Sequence, residues 1–251
     1  MSLELVEVSS PQINVAGAAF YFHPDTLARG KALGLDGFRF YFLGRGGVLG
    51  DVEATVIASA FGYFHQDVVG KIWDSAREKL APRDAATEYL ECAAALGRKS
   101  LAEIDGLDAF NEAAETVTSA VDVSSLALFA GVIGHPLPED TAGRAYRNLV
   151  ALRELRGSMH LLAIVASGLA PSVAHAIRRP NDVAAFGWGD GPEVVDSDRA
   201  SLAKADRLTD ELMVPMFDVL SADQAEALRF GAQRMFDVFE DANRFQNRTD
   251  R

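Results

Sequence analysis

The chain of 251 residues is 49% hydrophobic and 24% charged, which predicts a folded globular protein with one large core or two smaller ones. Its net charge of −12 disfavours a surface built to neutralise nucleic-acid phosphates, so we do not expect nucleic acid as a partner. The single cysteine, Cys92, excludes an intramolecular disulfide and a multi-cysteine metal cluster, and it favours a reducing compartment.

The sequence also lacks the features of an exported or membrane-spanning chain. Glu4 and Glu7 stand where an export signal would place positive charge ahead of an apolar run. The most apolar run, Leu161 to Val173, contains Gly168 and is shorter than a membrane span requires. We therefore expect a cytoplasmic protein with no membrane partner.

The pattern of apolar residues predicts an all-α fold. Apolar side chains recur every three and four residues, which is typical of amphipathic helices, over Asp84 to Ile104, Asp140 to Val165, Ser197 to Leu220 and Asp223 to Asn243. Two short aromatic runs, Ala19 to Phe22 and Phe38 to Leu43, are predicted as strands or as buried helix, because short apolar runs do not separate the two.

The two halves of the chain echo each other. The first half carries an ordered series that is repeated in the second with similar spacing, and His-Pro precedes both series. The residues are Asp25, Thr26, Arg29, Arg45, Trp73 and Asp84, echoed by Asp140, Thr141, Arg144, Arg156, Trp188 and Asp198. This repetition predicts two pseudo-repeated helical lobes, residues 1–118 and 119–251, which together form one compact unit or two domains.

The best candidate for a site is the cationic stripe of Arg153, Arg156 and His160. These residues recur at helical spacing in an apolar stretch, and buried charge is costly unless carboxylates or an anionic ligand answer it. A guanidinium suits a carboxylate or phosphate, and a histidine can accept or donate a proton near neutrality. In the competing interpretation, both arginines bond internal carboxylates and His160 is a satisfied core residue.

The repeat extends this candidate site into the first half. If the lobes pack about a pseudo-twofold axis, Arg45 and Arg156 face one central cavity, with Tyr41 and His160 beside them. We predict that Arg45, Arg156 and His160 anchor an anionic, partly aromatic ligand, with support from Arg153, Tyr41 and Trp188. The alternative is an enzyme in the same pocket with His160 as catalytic acid or base.

Other patterns give no cofactor or metal prediction. The glycines of residues 44–50 depart from the dinucleotide-binding spacing and are not followed by a clear strand–helix–strand unit, so close helix contact is preferred and no cofactor is expected. The five histidines are too dispersed for a metal signature, and we predict no metal site. Phenylalanines between Phe217 and Phe245 are typical of a core or of a homodimer seam.

Residues in both halves carry a resemblance to a known family. They are residues 152–160, Ala163, Gly168-Leu169, Gly187-Trp188, residues 209–212 and Pro215, and in the first half Tyr41-Phe42, Arg45, Leu49-Gly50, Val52, Glu53-Ala54, Phe61, Phe64 and Trp73. On these residues the chain resembles an actinobacterial family filed as helix-turn-helix proteins and called SalK-like or EvbL-like. It implies a C-terminal lobe distantly related to winged helix-turn-helix domains.

The chain departs from that family after Gly187-Trp188. Family members carry a helix, a hairpin wing and a second helix start before the segment that matches Thr209-Asp210, whereas this chain has a short segment that begins with Gly189. We therefore predict that the recognition helix and wing are missing, and a ligand-responsive transcriptional regulator remains only a further alternative.

Overall fold

The computed structural model describes residues 2–249, with side chains through residue 240. These residues form twelve α-helices, two 3₁₀ turns (Gly47–Leu49 and Pro180–Asp182) and no strand, so the predicted all-α fold is confirmed. The helices are α1 (Ser2–Ala16), α2 (Pro24–Ala32), α3 (Gly37–Gly46), α4 (Ala54–Phe61), α5 (Gln66–Arg77), α6 (Pro82–Leu101), α7 (Leu107–Ser119), α8 (Ala127–Ile133), α9 (Thr141–Ala166), α10 (Pro171–Arg178), α11 (Asp196–Phe217) and α12 (Ala222–Thr249).

The four predicted long helices match α6, α9, α11 and α12, and two of their N-terminal caps follow from the sequence. The Asp140 carboxylate accepts a hydrogen bond from the backbone N–H of Gly143 at 2.7 Å, and the Ser221 hydroxyl accepts one from the N–H of Gln224 at 3.2 Å. Each cap satisfies a backbone donor that the first helical turn leaves unpaired. Phe245 of the predicted aromatic seam lies outside the residues whose side chains are described.

The strand alternative is wrong for both aromatic runs, and the buried-helix alternative is confirmed for residues 38–43. Residues 38–43 lie within α3, which begins after Asp36, whose side chain accepts a hydrogen bond from the backbone N–H of Arg39 at 2.9 Å. Residues 19–22 form turns. In the run at residues 38–43, four consecutive apolar residues, 40–43, are buried in α3 and only Phe38 is exposed. The run therefore lacks the alternation of a half-buried strand and equally fits a helix enclosed by its neighbours.

Helix α9 lies at the centre of the fold. It packs against α1, α6, α7, α8 and α11, and the main hydrophobic core draws residues from both sides of residue 118. A smaller cluster joins the end of α9 to α10 and α11 through Ile164, Ala174 and Leu202. The two halves therefore share one interior, while their division into pseudo-repeated lobes stays a prediction. The first series of echoed residues crosses α2 and α3, whereas the second begins within the single helix α9.

A sharp corner separates α9 from α10. Gly168 takes a positive φ of 73° after α9 ends, and Pro171 opens α10. No single helix among the described residues is long and apolar enough to cross a membrane, although α9 and α10 together pass by length and composition, with a bend of 112° between them. The corner places α10 beside α9 and α11.

The glycines of residues 44–50 bring α3 and the following 3₁₀ turn close to α6. A Cβ atom on Gly44 would lie 2.5 Å from Tyr89 Cβ, and one on Gly47 would lie 2.0 Å from the carbonyl oxygen of Pro82. Side chains at these positions would push the two elements apart. The contacts favour the close-packing interpretation of this run over a phosphate-binding loop.

We expect Gly47→Ala to destabilise the protein by about 1–3 kcal/mol, because the added methyl group meets a backbone atom that cannot rotate away. Gly70→Ala is the matched control, since Gly70 lies inside α5 and its added Cβ would meet nothing within 4 Å. That change should stabilise the protein by up to about 1 kcal/mol through helix propensity. Urea unfolding of both variants measures the difference, and equal stabilities would contradict the packing argument.

Candidate functional site

One cavity of about 500 Å³ opens between the central helix and the first-half helices. Its walls come from α1, α3, α4, α8, α9, α10, α11 and residue 186 of the loop before α11. Five arginines and two histidines lie in the wall: Arg45, Arg153, Arg156, Arg178, Arg179, His160 and His175. Tyr41 also lines it, so five of the six predicted site residues lie in one wall.

A buried carboxylate, Glu154, organises one end of this cavity. Its Oε1 atom accepts hydrogen bonds from Arg45 Nε at 2.9 Å, Arg153 Nη1 at 3.0 Å and the Tyr21 hydroxyl at 2.7 Å. Its Oε2 atom accepts a fourth from Arg45 Nη2 at 2.8 Å. The bonds from Arg45 are bidentate, which is the strongest geometry for this pair. For Arg45 and Arg153, the structure therefore favours pairing with an internal carboxylate.

The two guanidinium groups at this end keep the Glu154 carboxylate ionised. Burial alone would raise the pKa of Glu154, but the nearby charges of Arg45 and Arg153 outweigh it and lower the pKa to about 2. The Arg45 guanidinium also lies 4.5 Å from the centre of the Phe61 ring and donates to the Tyr41 hydroxyl at 3.1 Å. Two arginines share one carboxylate, so this end keeps a formal charge of +1.

Arg156 differs from the arginines at the other end. Its closest carboxylate atom is Asp210 Oδ1, 4.0 Å from Nη2, which is beyond hydrogen-bond distance. Its buried Nε atom makes no hydrogen bond, and neither does Asp210 Oδ1, within the described part of the chain. The Nε atom of Arg153 is also unbonded, but Arg153 bonds Glu154 through Nη1, whereas no hydrogen bond joins Arg156 to a described carboxylate. Burial lowers the pKa of Arg156, because too little negative charge answers its guanidinium. Internal pairing thus accounts poorly for this residue, whose side chain is only 18% exposed.

His160 lies one turn beyond Arg156 on α9 and is held by α11. Its Nδ1 atom is 2.8 Å from the hydroxyl oxygen of Thr209, which is completely buried. The Thr209 hydroxyl donates its own hydrogen to the carbonyl of Ala205 at 2.7 Å, so its oxygen accepts from His160. His160 therefore carries its proton on Nδ1, and Nε2 keeps a free lone pair on the side of the ring away from Thr209.

The surroundings of His160 keep it neutral. Burial and, as a smaller cause, the positive charge of Arg156 together lower the pKa of His160 to about 4. The nearest wall carboxylate, Asp206, accepts from Arg178 Nη2 through both oxygens, at 2.5 and 2.6 Å. Burial also raises the pKa of Tyr63 to about 12, so its phenol stays protonated. At neutral pH, this end of the cavity thus combines Arg156, a cationic donor without a hydrogen-bonded carboxylate among the described residues, with a neutral acceptor, Nε2 of His160.

Trp188 is the predicted site residue that does not line the cavity. Its indole N–H donates to the carbonyl of Tyr63 at 2.8 Å, and its ring meets the His65 ring edge-on at 4.8 Å. It thereby fastens the loop before α11. The loop instead sends Phe186 into the wall, where the ring stacks between Phe64 and His175 with 3.9 Å between ring centres on each side.

The sequence analysis missed two residues that hold the predicted ones in place, Glu154 and Thr209. Glu154 lies between Arg153 and Arg156 in the sequence. This position could have indicated that a carboxylate pairs with the arginines. Thr209 belongs to another helix, and no spacing connects it to His160. Among the described residues, no group of three or more His, Cys, Asp or Glu side chains is arranged to hold a metal ion.

We expect Glu154→Gln to cost about 3–5 kcal/mol of stability, because Arg45 and Arg153 would remain buried without their carboxylate. Thermal or urea unfolding measures the loss. Glu226→Gln is the control, since it removes a carboxylate whose partner Arg229 is exposed, and no measurable change is expected there. A loss in Glu154→Gln no larger than in this control would show that the buried cluster does not stabilise the fold.

The dependence of stability on pH in the wild type and in Glu154→Gln gives a second test of the buried carboxylate. The pKa of Glu154 is lowered from 4.5 to about 2 on folding, so the unfolded chain takes up this proton first as the pH falls. The carboxylate therefore stabilises the protein above pH 4.5, and this contribution is lost between pH 4.5 and 2. The stability difference between wild type and Glu154→Gln should shrink across that window, and a constant difference would contradict the assignment.

Comparison with known proteins places the chain in a family. The profile described as the Helix-turn-helix family matches residues 9–185, more than two thirds of the chain. The match includes all five arginines of the cavity wall and His160, and it ends before Thr209 on α11. Neither a curated protein nor a solved structure matches the chain. The extent of the profile match shows that this protein belongs to the helix-turn-helix family.

Proposed function

We propose that this protein binds a small anionic, partly aromatic molecule in the cavity between α3, α4, α9, α10 and α11. Arg156 and His160 are the main anchors, and Arg45, Arg153 and Tyr41 form the other end of the site. The volume of about 500 Å³ lies within the range of small-molecule sites. This ligand-binding role goes beyond the family membership, and the experiments below test it.

The observation that carries the proposal is the state of Arg156. A mostly buried guanidinium normally has hydrogen-bond partners, and Arg156 has none among the described residues. Its closest carboxylate is 4.0 Å away. A carboxylate or phosphate group in the cavity would supply the missing acceptors and offset the cost of burying the charge.

The charge of the whole wall supports an anionic ligand. Five arginines line the cavity, and four carboxylates pair with them, those of Glu154, Asp182, Asp206 and Asp210. A formal surplus of one positive charge therefore remains in a chain whose net charge is −12. A cleft with this sign concentrates anions.

The apolar part of the wall supports an aromatic group on the ligand. Phe61, Phe64 and Phe186 contribute ring faces or edges, and Leu161 and Ile164 of α9 complete the surface. Aromatic side chains pack favourably on other rings in offset or edge-to-face geometry. The wall thus offers a ring a place between the two cationic ends.

A ligand-responsive transcriptional regulator is the second candidate, and the helix-turn-helix description of the family favours it. The segment between Trp188 and α11 contains no strand, so it provides no hairpin wing. Two exposed arginines, Arg178 and Arg179, stand at the end of α10. The cytoplasmic location, a homodimer and the narrower SalK-like relationship stay predictions.

We expect native mass spectrometry of the protein purified from its own host to show a small-molecule adduct that is absent from Arg156→Met. Titration with 3-phenylpropanoate should show binding at least about tenfold weaker in the variant, because a charge-assisted hydrogen bond is lost. Arg229→Met, which removes an exposed arginine, is the control and should match the wild type. A bare wild-type mass together with no binding of the acid would contradict the proposal.

If the protein were a transcriptional regulator, it would bind DNA with a measurable sequence preference. Fluorescence anisotropy with duplex DNA from the region flanking its own gene should detect a dissociation constant below about 1 μM at physiological salt, tighter than non-specific binding. We expect no such binding, because the chain is acidic and provides no wing. Sub-micromolar, sequence-dependent binding would establish the regulator instead.

A further inference from the structure

The hydrogen-bonding requirement at the inner wall of the cavity narrows the class of ligand. Thr209 fixes the proton of His160 on Nδ1, so Nε2 offers an acceptor and no donor. The bond from Nδ1 to Thr209 is the one hydrogen bond that the His160 ring makes with the described residues, and His160 lines the cavity. The lone pair of Nε2 is thus a second uncommitted polar group, one helical turn from the guanidinium of Arg156.

The neighbouring polar groups do not supply the missing hydrogen. Asp206 is an acceptor, and both of its oxygens are occupied by Arg178. Arg156, one turn away on the same helix, is a donor, but among the described residues no hydrogen bond joins its guanidinium to Nε2. A cation on the ligand, such as an ammonium group, would satisfy Nε2 but would be repelled by the five arginines of the wall. A neutral hydroxyl meets the requirement without that repulsion.

We propose that the ligand is a hydroxylated aromatic acid, whose acid group binds Arg156 and whose ring hydroxyl donates to Nε2 of His160. This inference rests on the proposed function and specifies the ligand for the same cavity. Side chains one turn apart on a helix have Cβ atoms about 5–6 Å apart, so the two groups of the ligand need only a short spacing. The aromatic wall at Phe61, Phe64 and Phe186 accommodates the ring that connects them.

Thr209 is a positioning residue in this scheme. It contacts His160 and not the ligand, and it acts by deciding which ring nitrogen carries the proton. Without its hydroxyl, the imidazole can present an N–H to the cavity, and the site would then no longer distinguish a donor from an acceptor on the ligand. Its effect should therefore appear as lost discrimination between ligands.

The test compares 3-phenylpropanoate with its ortho, meta and para hydroxy derivatives and their methyl ethers, using calorimetric titration of the full chain. We expect at least one hydroxy acid to bind about tenfold or more tightly than its methyl ether, because the ether leaves Nε2 without a donor. The ratio of the two dissociation constants should fall towards one in His160→Phe, which keeps an aromatic ring, and in Thr209→Val.

Thr87→Val is the matched control for Thr209→Val. The Thr87 hydroxyl makes the same bond to the carbonyl four residues earlier, from Thr87 to Arg83 at 3.0 Å, but on the exposed face of α6. This variant should keep the wild-type ratio. A ¹⁵N-edited NMR spectrum of the wild type at pH 7 should show His160 Nε2 without a proton, and a protonated Nε2 would overturn the inference.

The outcomes separate this inference from the proposed function. If hydroxy acids and their ethers bind equally well, the ligand class is wrong while the anion-binding cavity stands. If the preference persists in His160→Phe, the hydroxyl is recognised elsewhere and the inference is also overturned. If none of the acids binds and the purified protein carries no adduct, the proposed function fails, and the inference fails with it.

Discussion

The geometry of the cavity depends on the buried carboxylate of Glu154. This side chain is 2% exposed and accepts hydrogen bonds from α3 through Arg45, from α9 through Arg153 and from Tyr21 in the turn before α2. It therefore ties the first half of the chain to the central helix at the point where the main core and the cavity meet. A neutral residue there would leave two guanidinium groups buried without compensation. The carboxylate makes an arginine-lined wall compatible with a folded protein.

The two ends of the cavity use the same residue type in opposite ways. At the Glu154 end, Arg45 is fixed by bidentate bonds and an aromatic contact, and little of its hydrogen-bonding capacity remains for a ligand. Arg153 is held by one hydrogen bond to the same carboxylate and by its contact with the Tyr21 ring. At the Arg156 end, the carboxylate is 4.0 Å away and the imidazole of His160 is neutral with one open nitrogen. The first arrangement stabilises the wall, whereas the second leaves hydrogen-bonding groups of Arg156 and His160 without partners among the described residues. Whether an arginine is already paired therefore says more about ligand binding than the number of arginines in the wall.

Residues that are close in sequence could be assigned to the site from the sequence alone. Helical spacing placed Arg153, Arg156 and His160 on α9, and the echo of Arg156 selected Arg45 on α3, which lies in the same wall. The long helices followed from their apolar periodicity, but the aromatic run at residues 38–43 did not, because enclosure on most sides removes the periodicity that distinguishes helix from strand. Trp188 shares its place in the echo with Trp73, yet its indole fastens a loop and does not reach the cavity.

What the sequence could not supply is the pairing of charges across helices. Whether an arginine is committed or open depends on where a carboxylate from another helix comes to lie, and that is decided by packing. The family profile covers the same site residues as the helical spacing does. Residues 9–185 include the arginines and His160 but not Thr209, Asp206 or Asp210 of α11. Those three residues set the proton position of His160, occupy Arg178 and leave Arg156 under-compensated. The chemical character of the cavity thus arises where α11 packs on α9, and these α11 residues lie beyond the part of the chain that the family profile matches.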